Sequence, residues 1–306
     1  MSFEILDFRL QRIATIGFFD GVHKGHMFLF EHLTQLASER HLEPLIITFD
    51  THPRAVLQSD YVPQLLTSLE EREALLSRFG EVKVLPFADI CHLTAAEFMA
   101  MMHDKMGVSV LLMGYDHRFG SDRLRHPNDY RRLGEQYKIE VLTLGEFVEG
   151  ELHVSSTEIR QALENGNVLV ANDLLGRPYT ISGTVIHGNS IGRTIGFPTA
   201  NVQVDDPHKA LPKNGVYAVK IQVEGDSWRS AILNIGTNPT VGNQNVTIEV
   251  HILDFTGDLY GKKITLSVQR YIREEKRFDN LEQLREQITR DVDNIRRLDE
   301  PKPVIH

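Results

Sequence analysis

The chain has 306 residues, of which 41% are hydrophobic and 25% are charged, a composition that is ordinary for a soluble globular protein and long enough for two domains. Its formal net charge of −9 argues against nucleic acid as the main partner, because a phosphate backbone requires clustered Lys and Arg. No apolar run approaches the ~20 residues that span a bilayer, and the N-terminus lacks a signal-peptide pattern, so we expect a cytoplasmic protein with no membrane partner.

The first predicted element is a short buried strand, residues 12–16, and a helix is expected to begin at Met27. The loop between them holds residues that tolerate positive φ or close ligand approach: Gly17, Asp20, Gly21 and Gly25. A strand, a glycine-rich loop and a helix N-terminus in this order can form a phosphate site, because unpaired amides and the helix dipole point at the ligand.

Two histidines, His23 and His26, lie three residues apart at this helix entry, so both rings can reach one side of the same anion. A plain turn and a pair of metal ligands are the alternatives. The chain contains no G-x-x-x-x-G-K-[ST] and no G-x-G-x-x-G, which excludes the P-loop and the usual dinucleotide fingerprint.

Further strands are predicted to alternate with helices along the first half. Residues 45–49 and 108–113 are predicted to be buried strands, and Ser68 and Thr94 open capping boxes for two helices. This alternation predicts a parallel sheet, which binds ligands at the carboxyl ends of its strands. The polar, Arg-rich stretch 121–133 is expected to be a solvated mobile loop.

Two stretches follow predicted strands and would lie at the same edge as the His23 loop. They are residues 50–53, Asp-Thr-His-Pro, and residues 114–120, Gly-Tyr-Asp-His-Arg-Phe-Gly. Residues 154–160, Val-Ser-Ser-Thr-Glu-Ile-Arg, start a later helix, and in isolation their hydroxyls indicate only an N-cap. The alternating pattern ends at Pro178.

From Tyr179 the chain changes to short β runs broken by glycine turns, which indicates a small barrel or sandwich. The predicted strands are residues 181–186, 216–223, 231–235, 246–253 and 264–268. A charged amphipathic helix, residues 281–298, closes the chain.

The glycine-rich stretch 188–201 is the chemically informative part of the second half. Its glycines would let backbone amides approach phosphate, although a glycine hairpin followed by a turn is the plain alternative. Thr199 and Asn201 are hard oxygen donors suited to Mg²⁺. Glu249 lies on the polar face of a later strand, where ordinary exposure is the usual explanation.

Several of these stretches resemble the bacterial bifunctional riboflavin kinase/FMN adenylyltransferases, or FAD synthetases. Residues 17–26, Gly-Phe-Phe-Asp-Gly-Val-His-Lys-Gly-His, contain the H-x-G-H motif of the nucleotidylyltransferase superfamily. Residues 114–120 are similar to the family's G-x-D-F-x-F-G stretch, with His117 where the family usually has Phe. Residues 154–160 are similar to its I-S-S-T-x-I-R signature.

The resemblance continues through the second half in the expected order. Residues 196–201 are similar to the riboflavin kinase G-x-P-T-A-N signature, and residues 249–255 to E-V-H-I-x-D-F. Residues 273–278 resemble the closing R-x-E-x-K-F, with Arg277 in place of Lys.

The resemblance implies an α/β nucleotidylyltransferase domain with a Rossmann-like parallel sheet in residues 1–178, which would transfer AMP from ATP to FMN. It implies a small antiparallel β-barrel with a C-terminal helix in residues 179–306, which would phosphorylate riboflavin. Mg²⁺ would be the cofactor, and ATP, riboflavin and FMN the substrates. We expect a monomer or a weak homo-oligomer.

The resemblance also assigns roles to residues. Glu249 would be the base of the kinase, and His23 and His26 would be the catalytic pair of adenylyl transfer. ATP for that transfer would bind Gly17, Phe18, Asp20, His23, His26, Ser156, Thr157 and Arg160. The flavin would bind Asp50, His52, Pro53, Asp116 and Phe119. The nucleotide of the kinase would bind Gly188, Gly192, Gly196, Pro198, Thr199 and Asn201, with Mg²⁺ on Thr199 and Asn201.

Two alternatives stay open at this point. One is a riboflavin kinase whose first domain has lost transfer activity, for which His117 and the stretch 121–133 leave room. The other is a flavin-binding regulator or carrier without turnover. Separating riboflavin, FMN and FAD after incubation with riboflavin, ATP and Mg²⁺ distinguishes all three.

Overall fold

The computed structural model describes residues 11–115, 117–122, 124, 126–147, 154–187, 196–240 and 243–299. The chain divides into two compact units, Met1–Ser156 and Thr157–His306. Within the described residues, no helix combines the length and the apolar character needed to cross a membrane.

The first unit is built on a five-stranded parallel sheet, as the sequence predicted, with the strand order β3-β2-β1-β4-β5. Its strands are β1 Arg12–Ile16, β2 Glu43–Phe49, β3 Glu81–Leu85, β4 Val108–Met113 and β5 Glu140–Thr143. The order reverses between β1 and β4, because the chain first builds outward from β1 on one side and then returns to the other. This is a topological switch point, where open α/β sheets bind their ligands.

Among its described residues, the first unit has the helices α1 Lys24–Arg40, α2 Pro53–Leu57, α3 Leu69–Leu76, α4 Phe87–Ile90, α5 Ala95–Met106 and α6 Pro127–Gln136. The capping boxes predicted at Ser68 and Thr94 are both present. α1 begins earlier than the predicted Met27, because His23 takes the extended N-cap position and its carbonyl accepts the N–H of Met27 at 2.9 Å.

The prediction of a mobile loop over 121–133 is wrong in its second half, which forms α6. Pro127 occupies the start of this helix, and the Asp129 carboxylate accepts the N–H of His126 at 3.2 Å. Tyr130 is 1% exposed and joins the core. One deeply buried aromatic ring thus orders a segment whose composition is otherwise that of a surface loop.

Helices cover both faces of the sheet, so successive strand residues enter two separate cores. Ala14, Ile16 and Leu111 pack with α5 and α6, whereas Ile13 and Leu112 pack with α1 and α3. Each fully buried Leu, Ile, Phe or Met side chain contributes about 1.5–3 kcal/mol relative to exposure. Burial on both sides therefore fixes the carboxyl edge of the sheet on a rigid support.

The second unit contains a closed antiparallel barrel with the strand order β10-β7-β6-β11-β8-β9, again as predicted. Its strands are β6 Tyr179–Ile186, β7 Ala200–Val204, β8 Gly215–Val223, β9 Arg229–Thr240, β10 Asn243–Ile252 and β11 Lys263–Arg273. Its helices are α7 Ser156–Glu164, which begins in the first unit, α8 Val168–Leu175 and α9 Leu281–Asp299.

The side chain of Asn172 links helix α8 to the barrel. Asn172 donates from Nδ2 to the carbonyl of Val268 at 2.9 Å, and its Oδ1 accepts the N–H of Tyr179 at 2.8 Å. The compact second unit therefore begins before residue 179. The functional boundary between residues 178 and 179 stays a prediction.

Candidate active sites

The glycine-rich loop after β1 is strained and tightly packed. Positive φ occurs at Phe19 (56°), Gly21 (81°) and Val22 (43°), so Gly21 is the loop glycine that meets the expectation of positive φ. Gly17 instead allows the Phe19 ring to pack closely against the backbone, because a Cβ at residue 17 would lie 2.7 Å from that ring. Strained residues of this kind cost about 1–3 kcal/mol each and persist only where their surroundings hold them.

Asp20 supplies part of that support. Its carboxylate accepts hydrogen bonds from the N–H groups of Leu66 (2.9 Å) and Thr67 (3.0 Å) and from the Thr67 hydroxyl (3.2 Å). The Thr67 Oγ1 in turn accepts the N–H of Gly21 at 3.1 Å. The ATP contact expected of Asp20 stays a prediction, since its carboxylate is engaged by the 66–67 segment.

His23 and His26 are brought together as the sequence predicted. Their rings stack with centroids 3.6 Å apart and an interplanar angle of 17°, and the Phe19 ring meets His26 edge-on at 5.2 Å. The nitrogen lone pairs of stacked imidazoles lie in parallel planes and cannot converge on one ion between the rings. This geometry disfavours the metal-pair alternative and leaves both rings at the positive end of α1.

A cavity of about 270 Å³ opens beside this pair, and we call it the His23 cavity. Its walls come from the loop after β1, the start of α1, the end of β4, and residues 144–147 and 154–156; among the lining residues are Gly17, Phe18, His23, Gly25, His26, His117 and Ser156. The Ser156 hydroxyl donates to the Asp20 carbonyl at 2.9 Å. That hydroxyl therefore ties the start of α7 to the glycine-rich loop.

A second cavity, of about 500 Å³, is also lined by Gly17 and Phe18, and we call it the Phe119 cavity. It is lined mainly by apolar side chains: Phe49, Pro53, Leu57, Phe87, Ile90, Leu93, Phe98 and Phe119. An apolar cavity of this size suits a flat aromatic ligand. The two cavities share the wall formed by Ile16, Gly17, Phe18 and His117.

The remaining predicted flavin residues lie around the helices that frame this cavity. The Asp50 carboxylate accepts the N–H of Phe87 at 3.0 Å, and His52 Nδ1 accepts the N–H of Arg54 at 3.1 Å as the N-cap of α2. The His52 ring contacts Phe18 edge-on at 4.8 Å. Asp116 lies outside the described residues.

Tyr130 is a supporting residue that the sequence did not indicate. Its hydroxyl donates to the carbonyl of Phe119 at 2.8 Å and accepts the Phe119 N–H at 3.0 Å, while the two rings pack at 4.8 Å. Burial raises the pKa of this phenol, so it stays protonated and keeps donating. The sequence signal that could have indicated this role is a tyrosine within the otherwise polar stretch 121–133.

Arg72 was missed as well. It is fully buried, with Nη2 donating to the Phe49 carbonyl at 2.5 Å and its guanidinium carbon 4.1 Å from the centroid of the Phe18 ring. A cation over the face of an aromatic ring attracts it electrostatically. The Arg72 guanidinium therefore stabilises the position of the Phe18 ring, which lines both cavities.

In the second unit, Glu249 stands in a row of polar residues across three strands. It is the register partner of Asn201 in β7 and of Asn234 in β9. Its neighbours Ile248 and Val250 are buried and Glu249 itself is half-buried, so the predicted alternation is confirmed here, whereas Val246, expected on the same apolar face, is exposed. Burial, and secondly the charge of Glu275, raises the pKa of the Glu249 carboxyl above its ordinary value.

Glu275 reaches this row because Gly236 has no side chain. A Cβ on Gly236 would lie 2.2 Å from Glu275 Oε1. The segment that carries Glu275 is anchored two residues earlier, where Arg273 donates to Asp291 of α9 at 2.8 Å from Nη2 and 3.0 Å from Nε. Asp291 is 2% exposed, so this ion pair is largely withdrawn from water.

A third cavity, of about 460 Å³, adjoins the end of the 188–201 stretch, and we call it the Thr199 cavity. Pro198, Thr199 and Tyr260 contribute to its lining, and the Pro198 carbonyl lies 2.9 Å from Nδ1 of His251. Gly196 has φ of 84°, the left-handed region that favours glycine. Gly188 and Gly192 lie outside the described residues.

Comparison with known proteins matches both halves of the chain. A FAD synthetase family model matches residues 8–158, and a riboflavin kinase model matches residues 175–298. A bifunctional riboflavin kinase/FMN adenylyltransferase from Escherichia coli K12 is 38% identical, covering 91% of this chain and 90% of the relative. The chain belongs to the bifunctional riboflavin kinase/FMN adenylyltransferase family.

A second relative of the same description, from Pseudomonas fluorescens, is 37% identical over 94% of this chain and 93% of its own length. A crystal structure described as that of a macrolide-efflux protein from Streptococcus pneumoniae matches with a TM-score of 0.86, at 34% identity over 94% of each chain. As a bifunctional riboflavin kinase/FMN adenylyltransferase, the protein carries its FAD synthetase part in the N-terminal half and its kinase part in the C-terminal half. These matches favour the two-activity enzyme over the inactive-domain and regulator alternatives.

Proposed function

We propose that adenylyl transfer takes place across the wall between two cavities, with ATP in the His23 cavity and the flavin of FMN in the Phe119 cavity. An oxygen of the FMN phosphate attacks the α-phosphorus of ATP, and the bond from that phosphorus to pyrophosphate breaks. The FMN phosphate is already an anion at neutral pH, so this step requires no strong base. The observation that carries the proposal is the set of lining residues shared by the cavity that holds the His23–His26 pair and a more apolar one.

The histidine pair has an electrostatic role in this proposal. His23 and His26, at the N-terminus of α1, offset the charge that builds on the α-phosphate and on the departing pyrophosphate. Ser156, Thr157 and Arg160 all stand in α7 and are proposed to bind phosphate. Since the Ser156 hydroxyl donates to the Asp20 carbonyl, we assign the phosphate contact of this residue to its N–H, one of the unpaired amides at a helix start.

The kinase step is proposed to use Glu249 as the general base. The riboflavin 5′-hydroxyl oxygen attacks the γ-phosphorus of ATP, ADP leaves, and the hydroxyl proton passes to the Glu249 carboxylate. The raised pKa of this carboxyl makes it a stronger proton acceptor than an ordinary Glu. Asn201 and Asn234, its register partners, are proposed to orient the reacting groups.

Thr199 and Asn201 are proposed to hold Mg²⁺ in the kinase. Both are neutral oxygen donors, and such a pair suits Mg²⁺ that keeps phosphate oxygens among its ligands, rather than a closed protein cage. The ion, when bound, neutralises charge on the triphosphate. Gly196 and Pro198 would shape the backbone around the nucleotide, and Gly188 and Gly192 are assigned to it by sequence alone.

The flavin assignment can be tested through Cys91, the one cysteine of the chain, which lines the Phe119 cavity. FMN should slow alkylation of Cys91 by iodoacetamide, whereas ATP alone should leave the rate nearly unchanged. A matched control is the Cys91→Ser, Ser77→Cys variant, since Ser77 is exposed at the end of α3. If FMN, at concentrations that support FAD formation, does not protect Cys91, the flavin does not bind in this cavity.

Three coarser expectations complete the proposal. The kinase domain is proposed to begin at residue 179, the protein to be a monomer or weak homo-oligomer, and its place of action to be the cytoplasm. Both reactions consume ATP, which supports action in the cytoplasm. Light scattering on the purified protein measures its oligomeric state. Riboflavin kinase activity of the fragment 179–306 tests the domain boundary.

A further inference from the structure

His117 differs in chemistry from the other residues of the wall between the His23 and Phe119 cavities. Ile16 and Phe18 present apolar side chains there, and Gly17 has none. The N–H of Gly17 is also engaged, since it donates to the carbonyl of Ile47 at 3.0 Å. Of the four described residues that line both cavities, His117 is therefore the one whose side chain can donate a hydrogen bond or carry a positive charge.

The fold accounts for this position. His117 follows β4, whereas Gly17 and Phe18 follow β1, and these two strands flank the switch point of the sheet. The His117 N–H donates to the carbonyl of Gly114 at 3.3 Å, which turns the chain back at the end of β4. The imidazole is half-buried, with its centroid 6.2 Å from that of Phe119.

We propose that His117 is a catalytic residue of adenylyl transfer that donates a hydrogen bond to phosphate oxygens where FMN meets the α-phosphate of ATP. This inference rests on the proposed occupancy of the two cavities. The bond that forms joins an FMN phosphate oxygen to the α-phosphorus, and pyrophosphate leaves with the electron pair of the bond that breaks. Both reactants are anions, so a donor between them offsets the repulsion that opposes their approach.

This task differs from that of the histidine pair. His23 and His26 line the His23 cavity, and neither is among the described residues that line the Phe119 cavity. They can therefore act on the triphosphate of ATP, whereas His117 also faces the side from which the nucleophile arrives. The site then has donors on both the entering and the leaving side of the α-phosphorus.

The test uses the full-length protein and the variants His117→Phe and His117→Asn. We expect His117→Phe to lower kcat and the single-turnover rate of FAD formation about 10–100-fold, the usual effect of losing one charge-assisted hydrogen bond. The KM values for FMN and ATP should change little, and riboflavin kinase activity should stay at its wild-type level. His117→Asn, which keeps a donor, should retain more activity than His117→Phe.

The matched control is His92→Phe, because His92 is an exposed histidine of the same unit that lines neither cavity. A wild-type single-turnover rate in His117→Phe, or a rise in KM alone, would overturn the inference. If His117→Phe disrupts the cavity, so that FMN no longer protects Cys91, the smaller His117→Ala, which also removes the donor, decides. A wild-type rate in that variant overturns the role, and a lowered rate with protection intact supports it. Failure of FMN to protect Cys91 in the wild-type protein refutes instead the occupancy on which the role depends.

Discussion

Substituting Tyr130 by Phe should weaken the first unit and, through Phe119, its affinity for FMN. The change removes one hydroxyl that makes two hydrogen bonds, at 2.8 Å and 3.0 Å, with the backbone of Phe119. Because Phe119 is only partly buried, each of its two backbone groups should cost about 1–2 kcal/mol when it loses its partner, so the expected loss is roughly 2–4 kcal/mol of the free energy of unfolding. The ring itself stays, so its packing contribution is retained.

Urea denaturation followed by circular dichroism measures the stability loss, and steady-state FAD synthesis measures the KM for FMN, which should rise. Riboflavin phosphorylation by the same preparation should be unchanged. Tyr137→Phe is the control, since this tyrosine ends the same helix and its hydroxyl makes no hydrogen bond within the described part of the chain. Equal stability of Tyr130→Phe and wild type would show that the hydroxyl does not hold the Phe119 backbone.

Three further predictions concern the kinase. Glu249→Gln should lower FMN formation about 10²–10⁴-fold while adenylylation of supplied FMN continues, and a wild-type rate would mean that the base lies elsewhere. Because the charge of Glu275 contributes to the raised pKa of Glu249, Glu275→Gln should lower that pKa and shift the acid limb of the kinase pH profile to lower pH; an unmoved limb would contradict the coupling. Asp291→Asn should lower the free energy of unfolding by about 3–5 kcal/mol, since it leaves the Arg273 guanidinium partly buried without its counter-ion. Urea denaturation of the full-length protein checks this, and a loss below about 1 kcal/mol would mean that the pair acts as an ordinary surface salt bridge.

The sequence predicted the features that depend on neighbouring residues. The capping boxes at Ser68 and Thr94 were correct, because each is set by a hydroxyl and a glutamate three residues apart. β3 was missed although Glu81 and Lys83 alternate with apolar residues, because a partly buried edge strand of five residues gives only a short signal. β7 was missed for a related reason, since its first residues belong to a signature that was interpreted chemically.

Contacts between distant segments could not be inferred from the chain. Arg72 has the spacing of a surface residue on a polar helix, and its burial depends on Phe18 and Phe49, which come from other elements. In the same way, nothing local to Asp20 indicates that its partners are the N–H groups at 66–67. The chemistry of Glu249 was suggested by resemblance, but its pairing with Asn201 follows from the strand register alone.

The row of polar residues at Glu249 crosses the boundary between β10 and β7, which has the fewest paired residues of the strand pairs in the described barrel. We call this boundary the seam. β10 and β7 are joined through Glu249 with Asn201 and Val250 with Ala200, whereas the register of β10 with β9 runs through ten residue pairs, from Asn243 with Thr240 to Ile252 with Ala231. A ligand that contacts both Asn201 and Glu249 bridges this seam. Ligand binding and folding of the barrel are then linked equilibria, so substrates stabilise the closed fold by RT ln(1 + [L]/Kd), which continues to rise with ligand concentration after the site is nearly full.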